Sequence, residues 1–376
     1  MPGENILAKR ATTHKTTVHI GKPNRRIYAM NLIARITFYD IEACGYFRRG
    51  KEGSLFGDAA SCLDQLLQWA KSTGLVLRDT CTYESEERTG CLRTFCFDMV
   101  RSSTNTDYLL TTWNEIPSFE GKTATVNGSQ RVGTADVELS DLPADGIPGY
   151  PTYFWFIPSD NRFATVTFNA VLNGHQNLAH YMNGFLRTFS RHVCKSANEL
   201  GEIKVTGYRK SEHDTPARLY PRFESALCYN RAEIEYIRSN RQSISKYIRK
   251  VKIEPNIQRD VGFIRKLFEH ATGINQNKRV PHPLKIRYEA EATPDAAELN
   301  AMIKEWRTRT PTRWDDVGFK ITGDSRGIRW LSHSLARDDF ELEIDCPANP
   351  TVIPAEALLT AIESQRDSMR TLVKDA

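Results

Sequence analysis

The chain has 376 residues, 40% hydrophobic and 26% charged, which suits two or three domains of ordinary globular make-up. No apolar run reaches the roughly eighteen residues of a membrane helix, and the N-terminal residues are polar and basic, unlike a secretory signal. Eight scattered cysteines without a CxxC pair predict reduced thiols in a cytoplasm, and argue against a disulfide framework or a zinc site.

Residues 1–26 hold six Lys or Arg against one Glu, a net of +5, and lack hydrophobic periodicity; they read as a basic arm. A β-rich stretch, RIYAMNLIARITFYD, opens the folded part at Arg26. Leu63, Leu66, Leu67 and Ala70 share one face of a predicted helix over 58–72. Strands are expected at 75–84, 91–100 and 106–114, and the Gly- and Pro-rich residues 117–150 read as a long surface connection. YPTYFWFIPSDNRFATVTFN reads as a hairpin turning at Pro158–Asn161, with Tyr153–Phe156 in its core. A helix follows over HQNLAHYMNGFLRTFSRHV, with residues 190–201 helical and then turn-like. These elements compose a first α+β domain over 27–200.

A second α+β domain is expected over 201–376. It starts with a strand at 218–228 and a short helix from Arg231, followed by 239–252 as a helix or a bent strand. Helices at 258–272 and 294–308 flank a strand at 284–292. Antiparallel strands follow, joined by Gly323–Gly327, and an amphipathic helix over 353–372 closes the chain. The fold class expected is therefore α+β, as two mixed domains with largely antiparallel sheets.

Charge is segregated along this chain. Residues 231–287 hold fourteen Lys or Arg against five Asp or Glu, a net of +9, whereas 79–145 hold five against twelve, a net of −7. Like charges gathered over several elements can form a phosphate-tracking surface, while alternating ones cancel within a Debye length. The candidate nucleic-acid contacts are Arg238, Arg241, Lys246, Arg249, Lys250, Lys252, Arg265, Lys266, Lys278, Arg279, Lys285 and Arg287. Few aromatics accompany them, which favours duplex over single strands. No zinc finger, RNP signature or helix-turn-helix supports reading of a base sequence.

Catalytic signatures are weak. No P-loop, GxGxxG, HExxH or GxSxG occurs, and no metal or cofactor is expected. Glu202-Ile203-Lys204 fits the end of a metal-dependent nuclease motif but lacks an upstream Asp, so it reads as an exposed charge pair. Arg187/His192 and Arg265/His270 have a spacing that resembles the R-x4-6-H motif of HEPN ribonucleases. There a His acts as acid or base while an Arg stabilises developing charge. This gives the alternative reading, a metal-independent ribonuclease effector. In a third reading the basic region meets an acidic protein, or the acidic 79–145 of the same chain.

PTYFWFIPSDNRFATVTFNAVLNGHQNLAHYMNGFL resembles a segment of the RexA family, the sensor component of a phage-exclusion system. DDVGFKITGDSRGIRWLSHSLARDDFELEI and the later ESQRDSMRTLV resemble that family's last strands and last helix. The resemblance covers about a quarter of the chain and implies a cytoplasmic, dimeric, sequence-independent binder of double-stranded DNA. It also implies signalling to a separate membrane-protein partner, with the N-terminal third an elaboration or a divergent domain. It assigns no individual DNA contact, so the candidate contacts rest on charge pattern alone.

Overall fold

The computed structural model describes residues 27–71, 75–85, 91–118, 122–126, 137–143, 145–168, 174–197, 202–253, 284–307, 315–347 and 350–374. The predicted basic arm and the predicted helix at 258–272 lie outside them. In chain order the first half contains β1 (Ile27–Phe47), β2 (Ser54–Phe56), α1 (Ala59–Ala70), β3 (Thr94–Arg101) and β4 (Tyr108–Glu115). It continues with β5 (Lys122–Val126), β6 (Val137–Asp141), β7 (Gly149–Ile157), β8 (Arg162–Phe168), α2 (His175–Thr188) and β9 (Val193–Ala197). The second half contains β10 (Ile203–Tyr208), β11 (Tyr220–Leu227), α3 (Arg231–Ser239), β12 (Ile244–Ile253), β13 (Leu284–Ala290) and α4 (Ala296–Arg307). Last come β14 (Asp316–Ile321), β15 (Ile328–Trp330), β16 (Arg337–Pro347), α5 (Ala355–Ser364) and α6 (Arg366–Lys374). The fold is α+β, and the described ladders are antiparallel.

β1 is the spine of an eight-stranded sheet ordered β11-β1-β8-β7-β4-β3, with β16 and β2 also paired to β1. Its first half pairs with β16 and its second with β11, both on the edge opposite β8. Both faces of this sheet are covered, which is why the β7 sequence YFWFI is continuously apolar. Tyr153, Trp155 and Ile157 face a core closed by α5 and α6, while Phe154 and Phe156 face one closed by α1 and α2. A bulge between Ile41 and Ala43 shifts the parity of β1, so Cys44 and Tyr46 join the second core. The predicted hairpin forms as read, with Asn161 left-handed (φ 53°) at its turn.

Four expectations are corrected. Residues 75–84 hold a 3-10 turn over Leu77–Thr80 in place of a strand, because the Thr80 hydroxyl donates to Leu77 O (2.6 Å) and accepts from Cys96 N–H (2.9 Å). The connection at 117–150 contains the β5–β6 hairpin. β9 replaces the helix expected after residue 190, and pairs with β10. The closing helix is two segments broken at Gln365, whose side-chain amide donates to Glu341 O (2.6 Å). β11 and β16, from beyond residue 200, join β1 in the large sheet. The chain leaves the large sheet at Cys228 and re-enters at Ala336, and Ala336 N–H donates to Cys228 O (2.9 Å). Pairing of β11 and β16 with β1 is long-range, and no local pattern reports it.

The residues between those two points form a smaller sheet, β13-β12-β14-β15. Ile234 and Ile237 of α3 and Leu299, Ile303 and Trp306 of α4 pack on one face, against Ile244, Val317, Phe319 and Ile321.

Candidate nucleic-acid interface

Residues 239–252, ambiguous from sequence, hold the end of α3, a short 3-10 turn and most of a central strand. Ile244 pairs with Ile321 and Lys246 with Lys320, so Ser245 is the extra residue of a bulge. Beyond it the side chains alternate. Tyr247 and Arg249, opposite Phe319 and Val317, face α3 and α4; Lys246, Ile248 and Lys250, opposite Lys320, Gly318 and Asp316, face the other way.

That other face collects cations. The β12–β13 register sets Lys250 opposite Arg287 and Lys252 opposite Lys285, and the β12–β14 register sets Lys246 opposite Lys320. Two like-charge pairs with described side chains, Lys250/Arg287 and Lys246/Lys320, are thus directly opposed, an arrangement that destabilises a ladder on its own. Trp330 lies across this face over Gly318, where an added Cβ would stand 2.8 Å from its ring. The Lys250 ammonium is 3.7 Å from the centre of that indole. The carboxylates on this side are Glu289, Glu291 and Asp316. Lys246 pairs with Glu289 (3.0 Å) and Glu291 (3.6 Å), and Arg287 with Glu289 (2.7 Å). The hydrogen bond from Lys246, and then that from Arg287, hold the Glu289 carboxyl below its ordinary value. Burial pushes the Asp316 carboxyl up, against hydrogen bonds from Ser332 Oγ (2.6 Å) and Ser332 N–H (3.1 Å). Among the described residues, Lys320 has no such partner and is exposed.

The remaining candidates divide. Arg249 is buried at 7% exposure, paired with Asp315 (3.3 Å) and Glu305 (3.7 Å), and is withdrawn from any ligand. Arg241 donates to Pro294 O (3.1 Å), which ties its turn to the start of α4. Arg238 donates to Asn300 (3.1 Å) and lies 3.6 Å from Glu235. Burial, and then the charges of Arg238 and Arg231, lower the Arg307 guanidinium from its ordinary value. These three arginines therefore crowd one another on the helix side of the sheet. The basic region is partly neutralised by its own neighbours, and the partners described are not from the acidic 79–145. Arg265, Lys266, His270, Lys278 and Arg279 lie outside the described residues, as do the side chains of Lys252 and Lys285.

The Arg187/His192 pair does not form a site. Arg187 is exposed on the last turn of α2, whereas His192 follows the helix and is buried at 5% exposure. Its Nδ1 lies 2.9 Å from Arg209 O and its Nε2 3.3 Å from Gln65 Nε2, which fixes the proton on Nδ1 and uses both nitrogens. Burial lowers its basicity further. Glu202 and Lys204 pair with each other at 3.3 Å on the surface. Among the described residues no cluster of His, Cys, Asp or Glu could hold a metal ion, and no described helix is long and apolar enough to cross a membrane.

Sequence reasoning found three of the cations on this face, Lys246, Lys250 and Arg287, but missed Lys320 and Trp330. Those two sit some 70 to 80 residues downstream of β12, and only sheet pairing brings them to it. No protein-family model matches the chain, and no curated protein or solved structure is detectably similar to it.

Proposed function

We propose that the protein binds double-stranded DNA without sequence preference, through the face of the small sheet turned away from α3 and α4. The observation that carries this is the two opposed like-charge pairs on that face, Lys246/Lys320 and Lys250/Arg287: a phosphate backbone laid across them replaces repulsion with attraction. Cations on neighbouring strands stand about 4.8 Å apart, and alternate residues along a strand about 6.6 Å apart, a spacing that follows a chain of charges. Three of these four positions are lysine, a point charge without the planar fork that reads base edges. The setting proposed is a sensor in a phage-exclusion system, working as a homodimer with a separate membrane-protein effector; its support is the likeness of the β7–β8–α2 and C-terminal sequences to RexA.

The test is fluorescence anisotropy of a labelled random 40-base-pair duplex with wild type and Arg287→Glu/Lys320→Glu. At least a tenfold loss of affinity with an unchanged melting temperature is expected. Equal affinity would remove this face from the binding surface.

A further inference from the structure

A second cationic site lies on the large sheet, in an open cleft of about 500 Å³ where β1 ends. Three elements build it. β1 runs on into the turn bearing Arg48, Arg49 and Lys51; α2 ends with Arg187; and β11 begins with Tyr220 and Pro221. The turn is held close by Gly45 (φ +129°), where a Cβ would stand 2.6 Å from Gly57 O, and its tip is Gly50 (φ +74°). Arg222 is committed within the cleft: it pairs with Glu224, and its guanidinium lies 5.1 Å from the centre of the Phe47 ring. Arg48, Arg49, Lys51 and Arg187 are exposed and have no side-chain partner among the described residues. Five cations and one carboxylate, Glu224, therefore line the cleft; with Glu224 held by Arg222, an excess of four positive charges remains.

Such an arrangement repels itself until an anion enters. One phosphate monoester brings about two negative charges and would leave half of the excess standing. Two or three linked phosphates match it. Beside the cations the cleft offers an apolar wall, Pro221 with Tyr220, and Tyr220 is 43% exposed although it belongs to a strand. A cleft of this volume is in the range that takes a small molecule. We propose that it binds a nucleoside polyphosphate, with the phosphates on Arg48, Arg49, Lys51 and Arg187 and the base against Tyr220.

Calorimetric titration with adenosine triphosphate, in chelator and at low salt, tests this, with adenosine and tripolyphosphate as comparators. The expected result is one triphosphate per chain and no binding of adenosine. Arg48→Glu/Arg187→Glu should lose at least tenfold in affinity at an unchanged melting temperature. Tyr220→Ala should weaken the triphosphate about fivefold and leave tripolyphosphate unaffected. Absence of triphosphate binding, or an undiminished affinity in the double variant, overturns the site. Tripolyphosphate binding as tightly as the nucleotide, with Tyr220→Ala silent, overturns the nucleotide assignment. A 5′-phosphorylated oligonucleotide that displaces the triphosphate, where its unphosphorylated form does not, makes a strand end the occupant and overturns the free nucleotide. Arg287→Glu/Lys320→Glu should bind the triphosphate as wild type does; its loss there would mean the two faces are one site and would overturn the proposal, whatever becomes of duplex binding.

Discussion

Asp107 has no exposed surface, and three donors surround it: Trp155 Nε1 (3.0 Å), Arg366 Nε (2.7 Å) and Arg366 Nη2 (3.0 Å). The carboxylate joins the β7 core to α6, so the last helix is fixed by an ion pair as well as by Met369 and Val373. Replacing one member leaves the other charge stranded, and Asp107→Ala is expected to cost about 3 kcal/mol in urea denaturation. Asp107→Ala/Arg366→Ala should cost less than the two single substitutions added together. Two histidines set an acid limit. Burial lowers both His175, stacked on Tyr39 at 4.3 Å, and His192, whose neighbour Arg191 adds to the effect. The unfolded chain takes up these protons near pH 6.5 and the folded chain only at lower pH. Their contribution to stability is therefore complete above pH 6.5 and falls as pH drops below it. Denaturation midpoints should decline from pH 7.5 to 5.5, and His192→Gln should flatten that decline; a midpoint constant over this range would contradict it. None of these contacts was legible in the sequence, since Asp107 and Arg366 are 259 positions apart.

Elements with a strong local period were legible. The Leu63, Leu66, Leu67 and Ala70 stripe of α1 and the turn of β7–β8 both formed where the pattern set them. β12 was not, for a specific reason. Ile244 and Ile248 are four apart, which fits a helical stripe, and in a regular strand would place both on one face. The bulge at Ser245 puts them on opposite faces, and neither periodicity describes that. Gly318 is the element-scale counterpart of this irregularity: its missing side chain is what lets Trp330 lie on the sheet, with Ile328 Cγ2 only 2.7 Å from an added Cβ. Gly318→Val should cost about 2 kcal/mol by overpacking. It should also weaken duplex binding, because Lys250 loses the ring that positions it. Full affinity in a folded Gly318→Val protein would mean that Trp330 has no part in the interface.

At the scale of the molecule, the small sheet is an insertion between β11 and β16. The two ends of the insertion meet in consecutive hydrogen bonds: Cys228 N–H to Phe38 O (2.9 Å), Phe38 N–H to Ala336 O (3.0 Å) and Ala336 N–H to Cys228 O (2.9 Å). A chain in which 229–335 is replaced by two glycines should keep a cooperative melting transition and lose duplex affinity. Loss of the transition would mean that the large sheet depends on the insertion. The charge segregation marked residues 231–287 as the basic part of the chain. It could not say which cations the fold would bury or pair, because Glu305 and Asp315 reach Arg249 only through α4 and β14. The central claim is that a cationic sheet face contacts phosphates. The salt dependence of duplex affinity, in wild type and in Arg287→Glu/Lys320→Glu, tests it most directly. The expected result is a linear fall of log affinity with log salt, with the slope shallower by about two in the variant, one for each phosphate contact removed. An unchanged slope, or no binding by wild type at low salt, would contradict it.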